Sequence, residues 1–312
     1  MLRFATLARQ PKKLYRMTGL TLDQFQTLTT RLAPLWVEAE RVRLSQRTRR
    51  HAIGQGTKYK LATMADKLVC VLAFYRFALT DELLGWLVRL DASNVCRLQQ
   101  RLEPLIEQAA DPTLGLSLRR RLPPGAKKIG TVEELLKVCP EFAEVITDAT
   151  EQQRQRPPRR SQRRWYSGKK KRHTIKTQLS VNTAGRVLFV SASVPGRVHD
   201  HALFKRTGIA TRLPQAAPHY LDRGYDGALG DYPEAALRIP FKKRRNHRVL
   251  TRSERAFNRL QARQRMIVEH VLSRLKKYQL LAHVYRHRMS DYNRRFRNVA
   301  ALVNFRLAPA LA

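Results

Sequence analysis

Asp148, Asp222 and Glu269 are the residues of this chain best suited to demanding chemistry. Between Glu151 and Asp200 there are thirteen Lys and Arg and no acid, so a carboxylate in the second half is rare and needs a reason. The run from Ala143 through Val145 and Ile146 reads as a strand ending at Asp148. His219-Tyr220-Leu221 reads as a short strand ending at Asp222. In open α/β sheets, sites lie outside such carboxyl ends. Asp222 lies 74 residues after Asp148, room for two strands and a helix, and Glu269 follows 47 residues later on a long helix. If the two strands are neighbours and the helix packs across the sheet, three carboxylates meet. Three hard oxygen ligands without a Cys/His cage favour Mg²⁺ or Mn²⁺ over zinc. Two such ions, about 4 Å apart, would clamp an in-line phosphodiester displacement. Each acid also has a plainer reading: Asp148 as a turn or cap residue, Asp222 as the shaper of a Gly turn.

Cations surround these acids. Arg265 precedes Glu269 at i, i+4 and Lys276 lies about two turns on along the same helix face, suited to gripping phosphate. An ordinary surface ion pair has the same spacing. The basic run 154–172 carries Arg163, Arg164, Lys169, Lys170 and Lys171, with Trp165 and Tyr166 between them. A basic segment interleaved with aromatics suits a nucleic-acid contact. Lys176, in the strand that follows, joins this set of candidate DNA contacts. Asp200, flanked by His199 and His201, reads first as a helix N-cap and only second as a ligand.

The elements that position these residues alternate strand and helix. His173–Asn182 reads as a strand, Thr183-Ala184-Gly185 as a turn, and Arg186–Val194 as the returning strand of a hairpin. A short helix from Asp200, a strand at 219–221, a further strand at 237–241 and a long helix from Thr251 or Ser253 to about Tyr278 complete an α/β fold with a mixed sheet. The long helix buries Phe257, Leu260, Met266, Val268, Val271, Leu272 and Leu275.

The first part reads as helical. Thr21 and Gln24 have capping-box spacing, and the helix they open should break at Pro34. Residues 41–60, basic and holding Gly54 and Gly56, read as a linker. Thr63, Thr80 and Asp91 cap three further helices; the third carries Val95, Leu98, Leu102 and Leu105 on one face. A short helix before a polar-faced one suits a helix-turn-helix, with Ser93, Asn94, Arg97, Gln100 and Arg101 turned to a DNA groove. A solvated face of an ordinary helical bundle reads the same way. The expected organisation is therefore residues 1–60, an N-terminal helix and basic linker; 61–110, a helix-turn-helix domain; 111–140, a linker containing the run 119–121; and 141–312, the catalytic domain.

Composition narrows the partners. The chain has 312 residues, 61 Lys+Arg against 24 Asp+Glu, and a net charge of +37. The second half holds 37 basic and 9 acidic residues, which points to a polyanion such as DNA. At 43% hydrophobic residues the chain can build a core. Cys70, Cys96 and Cys139 show neither metal-ligand spacing nor a disulfide framework. No apolar run spans a bilayer and the N-terminus lacks a signal-peptide core, so a cytoplasmic, nucleoid-associated protein is expected, without a membrane.

The motifs resemble one family. Thr147-Asp148-Ala149-Thr150-Glu151, Tyr166-Ser167-Gly168-Lys169-Lys170-Lys171, His173-Thr174 with Lys176, Gly196–Phe204, Leu221-Asp222-Arg223-Gly224-Tyr225, Pro240-Phe241-Lys242-Lys243, and Asn258 with Arg265, Glu269 and Lys276 follow the order found in DDE-superfamily insertion-sequence transposases. The closer likeness is to the group related to Harbinger-type nucleases, and it spans residues 147–276. A related group places Tyr three residues before the Arg; here that position is Ala262. The resemblance implies a ribonuclease-H-like fold preceded by a helix-turn-helix, with Asp148, Asp222 and Glu269 as catalytic acids holding two Mg²⁺ ions. It further implies cleavage of double-stranded DNA at terminal inverted repeats, transfer of the 3′-OH to target DNA, and a homo-oligomer in the synaptic complex. A nuclease that does not transpose, and a non-catalytic DNA-binding descendant of a transposase, are the alternatives.

Overall fold

The structure, a computed structural model, describes residues 1–46, 60–114, 131–138, 140–211, 213, 216–242 and 249–307. Gly54, Gly56, Cys139, Lys243 and the basic run 119–121 lie outside them. The chain divides into two units: Met1–Thr113 with Lys276–His283 and Arg294–Ala312, and Leu114–Leu275 with Val284–Asn293.

The first unit is built from α1 (Phe4–Ala8), α2 (Pro11–Thr18), α3 (Leu22–Ser45), α4 (Met64–Phe77), α5 (Asp81–Val88) and α6 (Ala92–Ala110). The expected caps form: Thr21 and Gln24 make a reciprocal capping box, and Thr63, Thr80 and Asp91 each accept a backbone N–H of their helix's first turn. Pro34 does not break α3, which runs on to Ser45 and takes in residues 41–45 of the expected linker. A proline removes one N–H, and the carbonyl it leaves unpaired belongs to Thr30, an exposed residue able to bond water. Between α5 and α6 the turn is tight: a Cβ on Gly85 would stand 2.6 Å from the Leu90 carbonyl oxygen.

Parts of the C-terminal region cluster with these helices, where the sequence reading had kept 141–312 together. The cause is a set of buried polar pairs and close contacts. Glu103, fully buried, takes Arg294 at 3.0 Å and Arg295 at 2.9 Å. Asn298 donates to the Tyr75 hydroxyl at 2.8 Å and the Glu103 carbonyl at 2.7 Å. The left-handed Gly19 lies against Tyr278, whose hydroxyl a Cβ there would meet at 2.7 Å. Charged residues satisfying one another underground leave no hydrophobic period to read.

The second unit holds α7 (Val132–Val138), β1 (Val145–Gln153), α8 (Arg159–Trp165), β2 (Tyr166–Ser167), β3 (Arg172–Val181), β4 (Val187–Val190), β5 (Val194–Pro195), α9 (Asp200–Thr207), β6 (His219–Tyr220), α10 (Ala228–Asp231), β7 (Leu237–Arg238) and most of α11 (Arg252–Lys276). Two helices follow, α12 (Gln279–Ala282) and α13 (Met289–Leu307). The sheet is mixed, ordered β2-β3-β1-β6-β7, with β4 and β5 also on β3; β1 is antiparallel to β3 and parallel to β6. Its core includes Val145, Phe204, Leu221, Tyr225 and Ile239.

The details depart from the sequence reading in four places. First, β1 does not end at Asp148 but runs on to Gln153, because Thr150, Glu151 and Gln152 pair with Thr177, Lys176 and Ile175. The basic run is interrupted by α8 and β2 rather than forming one loop. Next, the returning strand is split into β4 and β5, since its register on β3 slips by one residue between the pairs Leu179↔Val190 and Lys176↔Val194. Finally, Leu260 and Met266 of α11 are exposed, at 60% and 51%, while Val268, Val271 and Leu275 are buried.

Candidate active site

Neighbouring parallel strands place the first two acids. Ile146 of β1 pairs with Tyr220 of β6, so Asp148 and Asp222 each lie two residues beyond that pair. A buried polar chain fixes the strands just before Asp148. The Thr147 hydroxyl is 2.5 Å from Ser180 Oγ and 2.7 Å from His219 Nε2, tying β3, β1 and β6 together. Burial pushes His219 down to about 3, so it stays neutral near pH 7.

Asp148 is half-buried, and its Oδ1 accepts the Ala149 N–H at 2.7 Å. Burial pushes its pKa up to about 6, against the pull of that hydrogen bond and of Arg265; the negative charges of Asp222 and Asp200 add to the rise. Asp222 caps the 3₁₀ turn Arg223–Tyr225 through the Arg223 N–H at 2.7 Å. Its Oδ1 also lies 3.0 Å from Arg265 Nη1. Tyr225, fully buried, packs on the Phe204 ring with centroids 5.5 Å apart. Its phenol is held far above the usual range, first by burial and then by Asp148, Asp200 and Asp222. Three aspartates, Arg265 and the Tyr225 hydroxyl thus share one electrostatic neighbourhood.

Glu269 stands farther out. Its side chain is 60% exposed, and its Oε1 lies 4.0 Å from Arg265 Nη2. Among the described residues, no three His, Cys, Asp or Glu come close enough together to hold a metal ion. The donors nonetheless suit a hard divalent cation. They are oxygens only, and the Asp148 carboxyl, pushed up to about 6 chiefly by burial, would be stabilised in its ionised form by a cation beside it.

Lys176 departs from expectation. It is 5% exposed, and its ammonium lies 2.7 Å from Asp200 Oδ1, 3.4 Å from Glu151 Oε1 and 2.6 Å from the Val198 carbonyl oxygen. It binds carboxylates inside the unit instead of presenting charge to DNA, because Glu151 faces it across the β1–β3 ladder. Sequence reasoning also undervalued Asp200. It is the first residue of α9 rather than its N-cap, which is His199, and a Cβ on Gly224, two residues past Asp222, would lie 3.5 Å from its Oδ2. Its rarity as an acid in the basic half was the available signal.

The remaining candidates are solvent-facing to different degrees. Arg163 and Arg164 on α8, Lys169–Lys171 in the turn after β2, and Lys276 at the end of α11 are exposed. On α6, Arg97 is exposed, with Nη1 3.1 Å from Asn94 Oδ1, while Arg101 is half-buried and 3.8 Å from Glu40. Among the described residues no helix is long and apolar enough to cross a membrane.

The model of the DDE superfamily endonuclease family matches residues 147–304, half of the chain, so the chain belongs to that superfamily of endonucleases and transposases. The probable transposase for insertion sequence element IS702 of Microchaete diplosiphon is 30% identical over 243 residues, 78% of this chain and 80% of the relative. No solved structure matches the chain.

Proposed function

We propose that this transposase cuts double-stranded DNA at the terminal inverted repeats of its own element and joins the freed 3′-OH to target DNA, with Asp148, Asp222 and Glu269 as its catalytic acids. The observation that carries this reading is the convergence of Asp148 and Asp222 beside Arg265 at the mouth of two parallel strands, in a unit otherwise poor in acids. Asp148, Asp222 and Glu269 would hold Mg²⁺ or Mn²⁺ through their carboxylate oxygens. When bound, two such ions supply a deprotonated attacking oxygen and charge stabilisation of the leaving oxygen in an in-line phosphoryl transfer.

The chain's own residues orient the reaction. The Thr147–His219 contact holds the strands in register, so the two aspartates keep a fixed separation. Arg265 supplies positive charge between Asp222 and Glu269 and would contact the scissile phosphate. Arg163, Arg164, Lys169, Lys170, Lys171 and Lys276 grip the DNA backbone, and Arg97 and Arg101 read or position the element ends through α5 and α6 acting as a helix-turn-helix. The second unit is read as ribonuclease-H-like, and two copies of the chain bring two ends together.

The test of joining is direct. Pre-cut element ends with a free 3′-OH, incubated with a supercoiled plasmid and Mg²⁺, should give end-plasmid joints flanked by short single-stranded gaps in the target. Hydrolysed ends without any joints would reduce the reading to a nuclease.

A further inference from the structure

An open recess of about 530 Å³ at the edge of β2 and β3 is lined by Arg156, Gln162, Arg163, Tyr166, His173 and Arg197. Among the described residues no acid lines it, and three arginines reach it from different segments. Local contacts hold four of the lining residues, Arg156, Gln162, Tyr166 and His173. Arg156 Nη2 donates to Gln162 Oε1 at 3.2 Å, and the Gln162 amide donates to the Pro157 carbonyl at 3.1 Å. Tyr166, 42% exposed, stands edge-on to the His173 ring with centroids 5.8 Å apart, and the two residues pair across β2 and β3. Gly196 is pressed onto β3, where a Cβ would fall 1.8 Å from Thr174 Oγ1; that close approach brings the following Arg197 to the rim. The neighbouring Trp165 is covered by Arg154, 4.2 Å from its ring centroid, which leaves Tyr166 as the aromatic face of the cavity.

A duplex offers this concavity only phosphates, and a flat basic surface would serve them as well. A recess of this size with both an aromatic wall and several arginines matches a single nucleotide, base on the ring and phosphate on the guanidinium groups. We propose that the cavity takes one unpaired nucleotide of the bound DNA, with its base against Tyr166 and its phosphate held by Arg163 and Arg197. Asp148 pairs with Leu179, which lies six residues along β3 from His173 of the cavity wall. At roughly 3.3 Å per strand residue and 3.4 Å per nucleotide step, the captured nucleotide lies within about six steps of the phosphate at Asp148.

This inference rests on the reading of the chain as a DNA-cutting enzyme, and the experiment separates the two. The full chain is titrated, without metal, against a fluorescent duplex and against the same duplex carrying one unpaired thymidine. The unpaired base should tighten binding about tenfold, in line with the strength of base–aromatic stacking. Tyr166→Leu and Arg197→Gln should each bring the ratio of the two affinities to about one, and Tyr166→Phe should keep it at about ten. Equal affinity of the wild type for both DNAs, or a preference that survives Tyr166→Leu and Arg197→Gln, overturns the inference while the cutting reading stands. Absence of salt-sensitive binding to either DNA overturns both.

Discussion

Arg265 binds one acid of the site and neighbours another. Its Nη1 is 3.0 Å from Asp222 Oδ1, and its Nη2 is 4.0 Å from Glu269 Oε1, one helical turn away. With a side chain 26% exposed, the guanidinium is shielded enough for its charge to count, and it pulls the Asp148 carboxyl toward ionisation.

Arg265→Ala should therefore lower the single-turnover rate of DNA cleavage by roughly 100-fold, the scale seen on losing one fixed donor to a transition state. Arg265→Lys should restore only part of it, since an ammonium cannot bridge two carboxylates as a planar fork does. Equal rates for wild type and Arg265→Ala, at unchanged melting temperature, would remove Arg265 from the site.

Asp148 gives a pH signature in the metal-free protein. Its folded pKa, about 6, lies above the ordinary 3.8, so the folded chain binds this proton more tightly than the unfolded one. Stability from this group is greatest at low pH and falls as pH rises from about 4 to about 6. Asp148→Asn should melt higher than wild type above pH 6, by on the order of 2 kcal/mol, and the gap should close toward pH 4. Added Mg²⁺ should raise wild-type melting at pH 8 and leave Asp148→Asn nearly unmoved. A constant gap across pH would contradict the burial of this carboxylate.

Lys176 holds Asp200 and Glu151 in a nearly dry setting. Lys176→Met should cost about 3 kcal/mol, because it strands the nearly buried Glu151 carboxylate and unpairs the half-buried Asp200. The double variant Lys176→Met with Asp200→Asn should recover part of that loss in denaturant titration. Full stability of Lys176→Met alone would mean that the network is not coupled.

The sequence carried the local signals well. Thr21, Thr63, Thr80 and Asp91 announced their helices, since a cap is written in one or two adjacent residues, and the acids stood out against a basic background. Pairing was less legible. Asp148 was expected at a strand end, yet Glu151 meets Lys176 across the ladder and carries β1 onward, a relationship that depends on a strand more than twenty residues away. The inward turn of Lys176 was hidden for the same reason, as a lysine's partner is set by tertiary register and not by its neighbours in sequence. The joining of Arg294, Arg295 and Asn298 to Glu103 and Tyr75 links residues some two hundred positions apart, and no periodicity encodes it.

The most direct test of the central claim is cleavage of end-labelled DNA carrying the sequences that flank this gene. Wild type, Asp148→Asn, Asp222→Asn and Glu269→Gln would be compared in Mg²⁺ and in EDTA. The account predicts cuts at the repeat ends that need the metal and disappear in all three variants. Cleavage that persists in EDTA, or in any of the three variants, would contradict it.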